Sequence, residues 1–258
     1  MNDLFSVKGK TALVTGSTRG IGLMIARALA EAGATVFVSG RDAGMCQEIC
    51  EQLAGEGAKC VPAPADLSTE HGVFELADQV KARESGLDIL INNAAIHRMT
   101  PLASVRFTDI TELMNTNVAS MLILTQQLLP LLESSASPDD PARIINMSSS
   151  LVNENNHWDS YAYAASKAAI GQISRDMAND LADRHITVNY MAPSSFPSRM
   201  VDQYLNEDYT LENVAENLPL KRVGRPSDMA GLVLYLCSQA GSFVTGNCIN
   251  IDGGISVR

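Results

Sequence analysis

Thr11-Ala-Leu-Val-Thr15-Gly16-Ser17-Thr18-Arg19-Gly20-Ile21-Gly22 is a short apolar run that breaks into a glycine-rich turn and opens an amphipathic stretch. A strand that turns directly into a helix is the first half of a βαβ unit, the connection that parallel strands require. The rest of the chain continues the alternation. Strands are expected at 11–15, 35–39, 59–63, 88–92, 143–147, 186–190 and 248–251, and helices at 20–32, 42–55, 69–84, 108–132, 160–182 and 227–238. Continuously apolar strands such as Ile89-Leu-Ile91 suit a sheet covered on both sides. The pattern predicts one α/β domain spanning 1–258, a doubly wound parallel sheet of about seven strands with helices on both faces. The segment 193–219 interrupts the alternation, carries a short helical pattern near 199–204, and suits a lid over a substrate.

Composition narrows the function. Apolar residues make up 46% and charged residues 19%, as in a globular protein with a sizeable core. A net charge of -10 argues against nucleic acid and anionic membrane surfaces as main partners. The longest apolar stretch, 123–132, is interrupted by Thr125, Gln126, Gln127 and Pro130, and residues 1–8 lack the basic and apolar regions of a secretion signal, so a cytoplasmic location is expected. Five scattered cysteines (Cys46, Cys50, Cys60, Cys237 and Cys248) do not make a disulfide framework. Cys46 and Cys50 lie one helical turn apart, but no further ligand lies close by in sequence, and no metal is expected. The histidines His71, His97, His157 and His185 are isolated in sequence, and no Gly-x-Ser-x-Gly elbow is present.

The glycines of the opening turn are spaced Gly16-x3-Gly20-x-Gly22. Such a turn brings backbone close to a diphosphate and aims a helix N-terminus at it, so it predicts a Rossmann-type dinucleotide site. Lys8-Gly9-Lys10-Thr11 precedes the strand and lacks the upstream glycine of a triphosphate loop. The second strand ends Ser39-Gly40-Arg41 with no acid at its tip, where an acid would hold a ribose 2′-hydroxyl. Arg41 and Arg19 could clamp a 2′-phosphate instead, with Asp42 acting as a helix cap, and NADP(H) is favoured over NAD(H).

Tyr163-Ala-Ala-Ser-Lys167 sets a phenol and an ammonium one helical turn apart on the same face. A nearby cation favours the ionised phenol, so Lys167 would bring the Tyr163 pKa toward working pH, as general acid–base chemistry needs. Tyr161 has Ala165 four residues on and cannot form the pair.

The glycine turn, Asn92-Asn93-Ala94 and Tyr163-x3-Lys167, in this order, resemble the short-chain dehydrogenase/reductase family over essentially the whole chain. Ala65-Asp66-Leu67 and Gly246-Asn-Cys-Ile-Asn-Ile-Asp-Gly-Gly254 extend the likeness, which is greatest to bacterial 3-oxoacyl reductases. The resemblance implies that Tyr163 gives a proton to a carbonyl, Lys167 holds the nicotinamide ribose and tunes the phenol, and Ser149 bonds the carbonyl oxygen. It implies that Asn117, in Asn115-Thr-Asn117-Val, anchors a water relay. Gly16, Ser17, Arg19, Gly20, Ile21, Gly22 and Arg41 would hold the cofactor. So would Asp66 and Leu67, with Asp66 on the adenine, and Asn93 and Ala94, with Asn93 beside the adenosine ribose. Pro193 and Ser198 complete that set. Alignment of Arg143-Ile-Ile-Asn-Met-Ser-Ser149 favours Ser149 as the carbonyl donor, whereas the commoner 13-residue step to the tyrosine favours Ser150; we take Ser149. Ala95 and Ser194 stand where the family usually has glycine, and their side chains could narrow the nicotinamide cleft.

The implied reaction is NADPH-dependent reduction of a carbonyl, foremost the 3-keto group of an acyl thioester. The alternatives are a secondary-alcohol, polyol, sugar or steroid dehydrogenase and, more remotely, a protein that binds NADP(H) without turnover. An acidic acyl-carrier protein would be repelled unless Arg98, Arg106 or Arg199 formed a local basic patch. The 153–158 loop, with His157 and Trp158, could shape a polar or aromatic pocket. The apolar character of the 108–132 helix and of the helix carrying Tyr163 suggests a homotetramer, or failing that a dimer.

Overall fold

A computed structural model describes residues 4–153, 159–197 and 210–257. The elements run β1 (Thr11–Val14), α1 (Gly20–Glu31), β2 (Thr35–Val38), α2 (Ala43–Gly55), β3 (Lys59–Pro62), α3 (Glu70–Lys81) and β4 (Ile89–Asn92). They continue with α4 (Phe107–Met114), α5 (Ser120–Ser135), β5 (Ala142–Met147), α6 (Tyr161–Asp180), β6 (Ile186–Pro193), α7 (Leu211–Asn217), α8 (Pro226–Cys237) and β7 (Cys248–Ile251). Seven parallel strands lie in the order β3-β2-β1-β4-β5-β6-β7. The order reverses between β1 and β4, because the chain leaves β3 and returns on the far side of β1.

Strand alternation divides the core in two. Ala12 and Val14 of β1 pack with Ile25 and Leu29 of α1, Leu53 of α2, and Val233 and Leu236 of α8. Leu13, Phe37, Leu90 and Ile144 face the opposite side, against Leu76 of α3, Leu124 and Leu128 of α5, and Ala178 of α6. Asp42 caps α2 by accepting from Met45 N–H at 3.0 Å, as expected, and Thr69 caps α3 by accepting from Gly72 N–H at 3.0 Å. No described helix is long and apolar enough to cross a membrane.

Three departures from the expected elements bear on the site. The single helix expected at 108–132 is α4 and α5 joined by a π-helical turn, Asn115–Ala119. Single π-helical turns within α-helices are frequent at functional sites. The sixth strand does not stop at 190 but runs to Pro193, because Met191, Ala192 and Pro193 pair with Ile249, Asn250 and Ile251 of β7. Within the segment expected to form a lid, α7 lies at Leu211–Asn217; the helical pattern near 199–204 lies outside the described residues.

Candidate active site

A cleft of about 400 Å³ opens over the carboxyl ends of β1 and β4, where the strand order reverses. In open α/β sheets that crevice is where ligands bind. Thr15 Oγ accepts from both Asn93 N–H (2.9 Å) and Ala94 N–H (3.0 Å), while Asn93 Nδ2 donates to the Thr15 and Gly16 carbonyls at 2.8 and 3.1 Å. Gly16 takes φ +63°, and a Cβ there would stand 2.9 Å from Ala94 Cα. A Cβ on Gly22 would run into the Gly16 carbonyl and the Asn93 amide. Only glycine allows this turn to fold beneath the cleft. Arg19, the N-cap of α1, makes no side-chain cap bond, which leaves the first amides of the helix without a side-chain acceptor. That cradle fits a diphosphate.

Ser39, Gly40 and Arg41 line one end of the cleft with Asp66 and Leu67. Arg19 and Arg41 are both exposed there, and neither makes an ion pair with a described residue. Two unpaired guanidiniums beside a strand tip without an acid fit a 2′-phosphate. Asp66 accepts from Ser68 N–H (3.1 Å) and Ser68 O–H (2.8 Å), which fixes its carboxylate at the rim. Ser17 departs from expectation. It is wholly buried, donates to the Val14 carbonyl (2.7 Å) and accepts from Ser39 N–H (2.9 Å), so it braces the turn from below and does not line the cleft.

The other end is built by α6, β5 and the strand following α6. Tyr163 and Lys167 lie one turn apart on α6, both buried, and Lys167 Nζ sits 5.7 Å from the centre of the tyrosine ring. Lys167 Nζ donates to the Met147 carbonyl at the end of β5 at 2.6 Å. Burial pulls its pKa down to about 7, so in the cofactor-free protein the ammonium is not a permanent charge at neutral pH. Pro193 closes this side of the cleft.

Asn117 does not line the cleft. From the π-helical turn it accepts from Ile96 N–H (2.9 Å) and donates to the Ile96 carbonyl (3.0 Å) and to Ser166 Oγ (3.0 Å). Ser148, rather than Ser149, contributes to the wall, but its hydroxyl donates to the Lys167 carbonyl at 2.8 Å. Ser149 caps a short 3₁₀ turn, its oxygen accepting from Leu151 N–H at 3.3 Å, and Ser150 is buried in that turn. Ser198, the 154–158 part of the polar loop and Arg199 lie outside the described residues.

One residue that looked isolated in sequence is not isolated in space. His97 lines the cleft, and its ring meets Tyr163 edge to face with centroids 4.4 Å apart. Burial, reinforced by Lys167, pushes its pKa down to about 4. Of the three arginines considered for a carrier protein, the two described are paired with carboxylates: Arg98 with Glu112 at 2.8 Å and Asp109 at 3.4 Å, and Arg106 with Asp109 at 2.7 Å. Among the described residues no group of three or more histidine, cysteine or acidic side chains could hold a metal.

A family model described as enoyl-(acyl carrier protein) reductase matches residues 16–256. The rhamnolipids biosynthesis 3-oxoacyl-(acyl-carrier-protein) reductase of Pseudomonas aeruginosa is 44% identical, over 98% of this chain and 99% of that one. The chain belongs to the short-chain dehydrogenase/reductase family. Among solved structures, the Pseudomonas aeruginosa RhlG/NADP active-site complex matches with TM-score 0.94 and 44% identity, over 99% of this chain and 100% of that one. A gluconate 5-dehydrogenase from Burkholderia cenocepacia, in complex with NADP and tartrate, matches with TM-score 0.90 and 30% identity, over 99% and 98% of the two chains.

Of the two departures from the family's glycines, Ala95 lines the cleft, whereas Ser194 turns its hydroxyl to the Asp252 carbonyl at 3.1 Å and lies off the wall. The buried lysine leads to a stability prediction. The unfolded chain holds its proton up to about 10.5, while the folded chain releases it near 7, so folding is progressively favoured as pH rises through that window. In thermal unfolding of cofactor-free protein, the Tm difference between wild type and Lys167→Met should move in favour of wild type from pH 7 toward pH 10. A pH-independent difference would contradict the desolvation account.

Proposed function

We propose that the protein is an NADP(H)-dependent reductase that converts a carbonyl to a secondary alcohol, with the 3-keto group of an acyl thioester as its substrate. One observation carries this reading: a single cleft holds two unpaired arginines at one end and the buried Tyr163–Lys167 pair at the other. NADPH, when bound, supplies a hydride to the carbonyl carbon. The backbone of Gly16–Gly22 and the start of α1 hold its diphosphate, Arg19 and Arg41 its 2′-phosphate, and Asp66, Leu67, Asn93 and Ala94 the adenosine side. As negative charge builds on the carbonyl oxygen, Tyr163 delivers its proton there, and a charged Lys167 favours the phenolate that is left. Ser149 is the second donor to that oxygen. Its support is the proton count: Ser148 has committed its hydroxyl to the Lys167 carbonyl, while Ser149 only accepts. Asn117 acts by fixing Ile96 and Ser166 around the pair, and the expected water relay would run along that buried wall.

A second reading, a polyol or sugar-acid dehydrogenase, is supported by the gluconate 5-dehydrogenase relative. The net charge of -10 weighs against docking of an acidic carrier protein and supports coenzyme A thioesters or small free ketones instead. Outward-facing Phe107 (84% exposed), Ile110, Leu122 and Tyr161 on α4, α5 and α6 support a homotetramer, with the chain burying these helices against a second copy.

NADPH oxidation followed by absorbance, across acetoacetyl-CoA, longer 3-ketoacyl-CoAs, diketones and 5-ketogluconate, tests the substrate. Turnover of the thioesters is expected, and turnover of diketones or the keto acid alone would contradict it. In the same assay Arg41→Ala should raise the KM for NADPH about 10- to 100-fold, the scale of a lost charged hydrogen bond, and leave that for NADH nearly unchanged. Size-exclusion with light scattering should give four copies at micromolar concentration; a monomer would refute the assembly.

A further inference from the structure

The loop after β4 and the first turn of α6 are far apart in sequence, yet they are laced together beside the tyrosine. His97 Nε2 hydrogen-bonds Ser160 Oγ at 3.0 Å, and Ser160 is the buried N-cap of α6. Thr100 N–H donates to the Asp159 carbonyl at 2.7 Å. Asp159 itself holds φ +49°, a left-handed conformation that a non-glycine residue keeps only where surrounding contacts impose it. Asn117 pins Ile96, the neighbour of His97, and through Ser166 reaches the Tyr163 carbonyl, to which Ser166 O–H donates at 2.7 Å. Every one of these ties converges on the segment that places the phenol.

We propose that His97 is a positioning residue for Tyr163: its imidazole, set edge-on against the phenol ring and tied to the start of α6 through Ser160, fixes the tyrosine's rotamer. The inference rests on the reading of Tyr163 as proton donor. A ring is the right object for this work, because an edge-to-face contact at 4.4 Å holds a flat neighbour without competing for its hydroxyl. The imidazole is also a weak base here, since burial and Lys167 hold its pKa near 4. At working pH it is neutral and adds no second cation beside Lys167. The proton needed for the reaction stays with the tyrosine and lysine.

The test uses the full chain in four forms: wild type, His97→Ala, His97→Phe and His97→Gln. Each is measured for NADPH oxidation with acetoacetyl-CoA or a diketone, for NADPH binding by fluorescence, and for thermal midpoint. His97→Ala should lose about 10- to 100-fold in kcat, the scale of a misplaced reacting group, with KM and NADPH affinity nearly unchanged. His97→Phe, which keeps the ring contact, should recover most of that loss, and His97→Gln should not. Unchanged kcat in His97→Ala would overturn the proposal, as would a loss confined to KM. Recovery by Gln instead of Phe would also overturn it, since a hydrogen bond of the side chain, and not its ring against the phenol, would then be what the reaction needs. If His97→Ala does not fold, the Phe and Gln variants carry the same comparison. A wild type that binds NADPH but reduces no carbonyl would remove the reading of Tyr163 and this proposal together. A fully active wild type with a fully active His97→Ala would remove this proposal alone.

Discussion

The hydroxyl of Thr15 and the side-chain amide of Asn93 join the carboxyl ends of β1 and β4 at the one place where the sheet reverses its order. Five side-chain hydrogen bonds pass through these two residues, one of them donated by the Thr15 hydroxyl to the Ile91 carbonyl, and the geometry of the cleft follows from them. They draw Ala94 against Gly16 and leave room for nothing larger than glycine at positions 16 and 22. The start of α1 is thereby aimed across the crevice. The chain leaving Asn93 runs directly to Ala95, Ile96 and His97, which line the wall facing α6. One junction positions both the phosphate end and the reacting end.

The reacting end is built against the preferences of a stable fold. Lys167 is fully enclosed, its ammonium faces a backbone carbonyl, and burial brings its pKa to about 7. A buried amine without a carboxylate costs stability whenever it is charged. Strong shifts of this kind, in a cleft and from an identifiable cause, gather at functional sites. The same desolvation acts on His97, and the neighbouring Lys167 adds to it, so the imidazole is neutral at working pH. The proposed division of labour follows, with Lys167 tuning, His97 holding and Tyr163 transferring.

Much of this was legible in the sequence because it is local. A strand, a glycine turn and a helix are contiguous in 11–31, and Tyr163 and Lys167 are neighbours on one helix. Asp42 read correctly as a cap for the same reason. What escaped the sequence depends on distant partners. The π-helical turn exists where Asn117 reaches Ile96, and β6 runs three residues further than its composition indicates because β7 lies beside it. Ser17 sits in the glycine motif, yet its hydroxyl points down to Val14 and its partner is Ser39. His97 meets Tyr163 only because β4 and β5 are adjacent strands, which no spacing in the chain announces. The pairing of Arg106 with Asp109, three residues on along α4, was the exception. It could have been read from the sequence, and it takes Arg106 out of the expected basic patch.

The account stands on the phenol of Tyr163 as the group that gives the proton. The most direct measurement compares wild type with Tyr163→Phe, following NADPH oxidation at saturating carbonyl together with NADPH binding. Loss of about two to four orders of magnitude in kcat, the range of one general acid, with NADPH affinity retained, is the predicted result. A Tyr163→Phe protein that still turns over at near wild-type rate would contradict it.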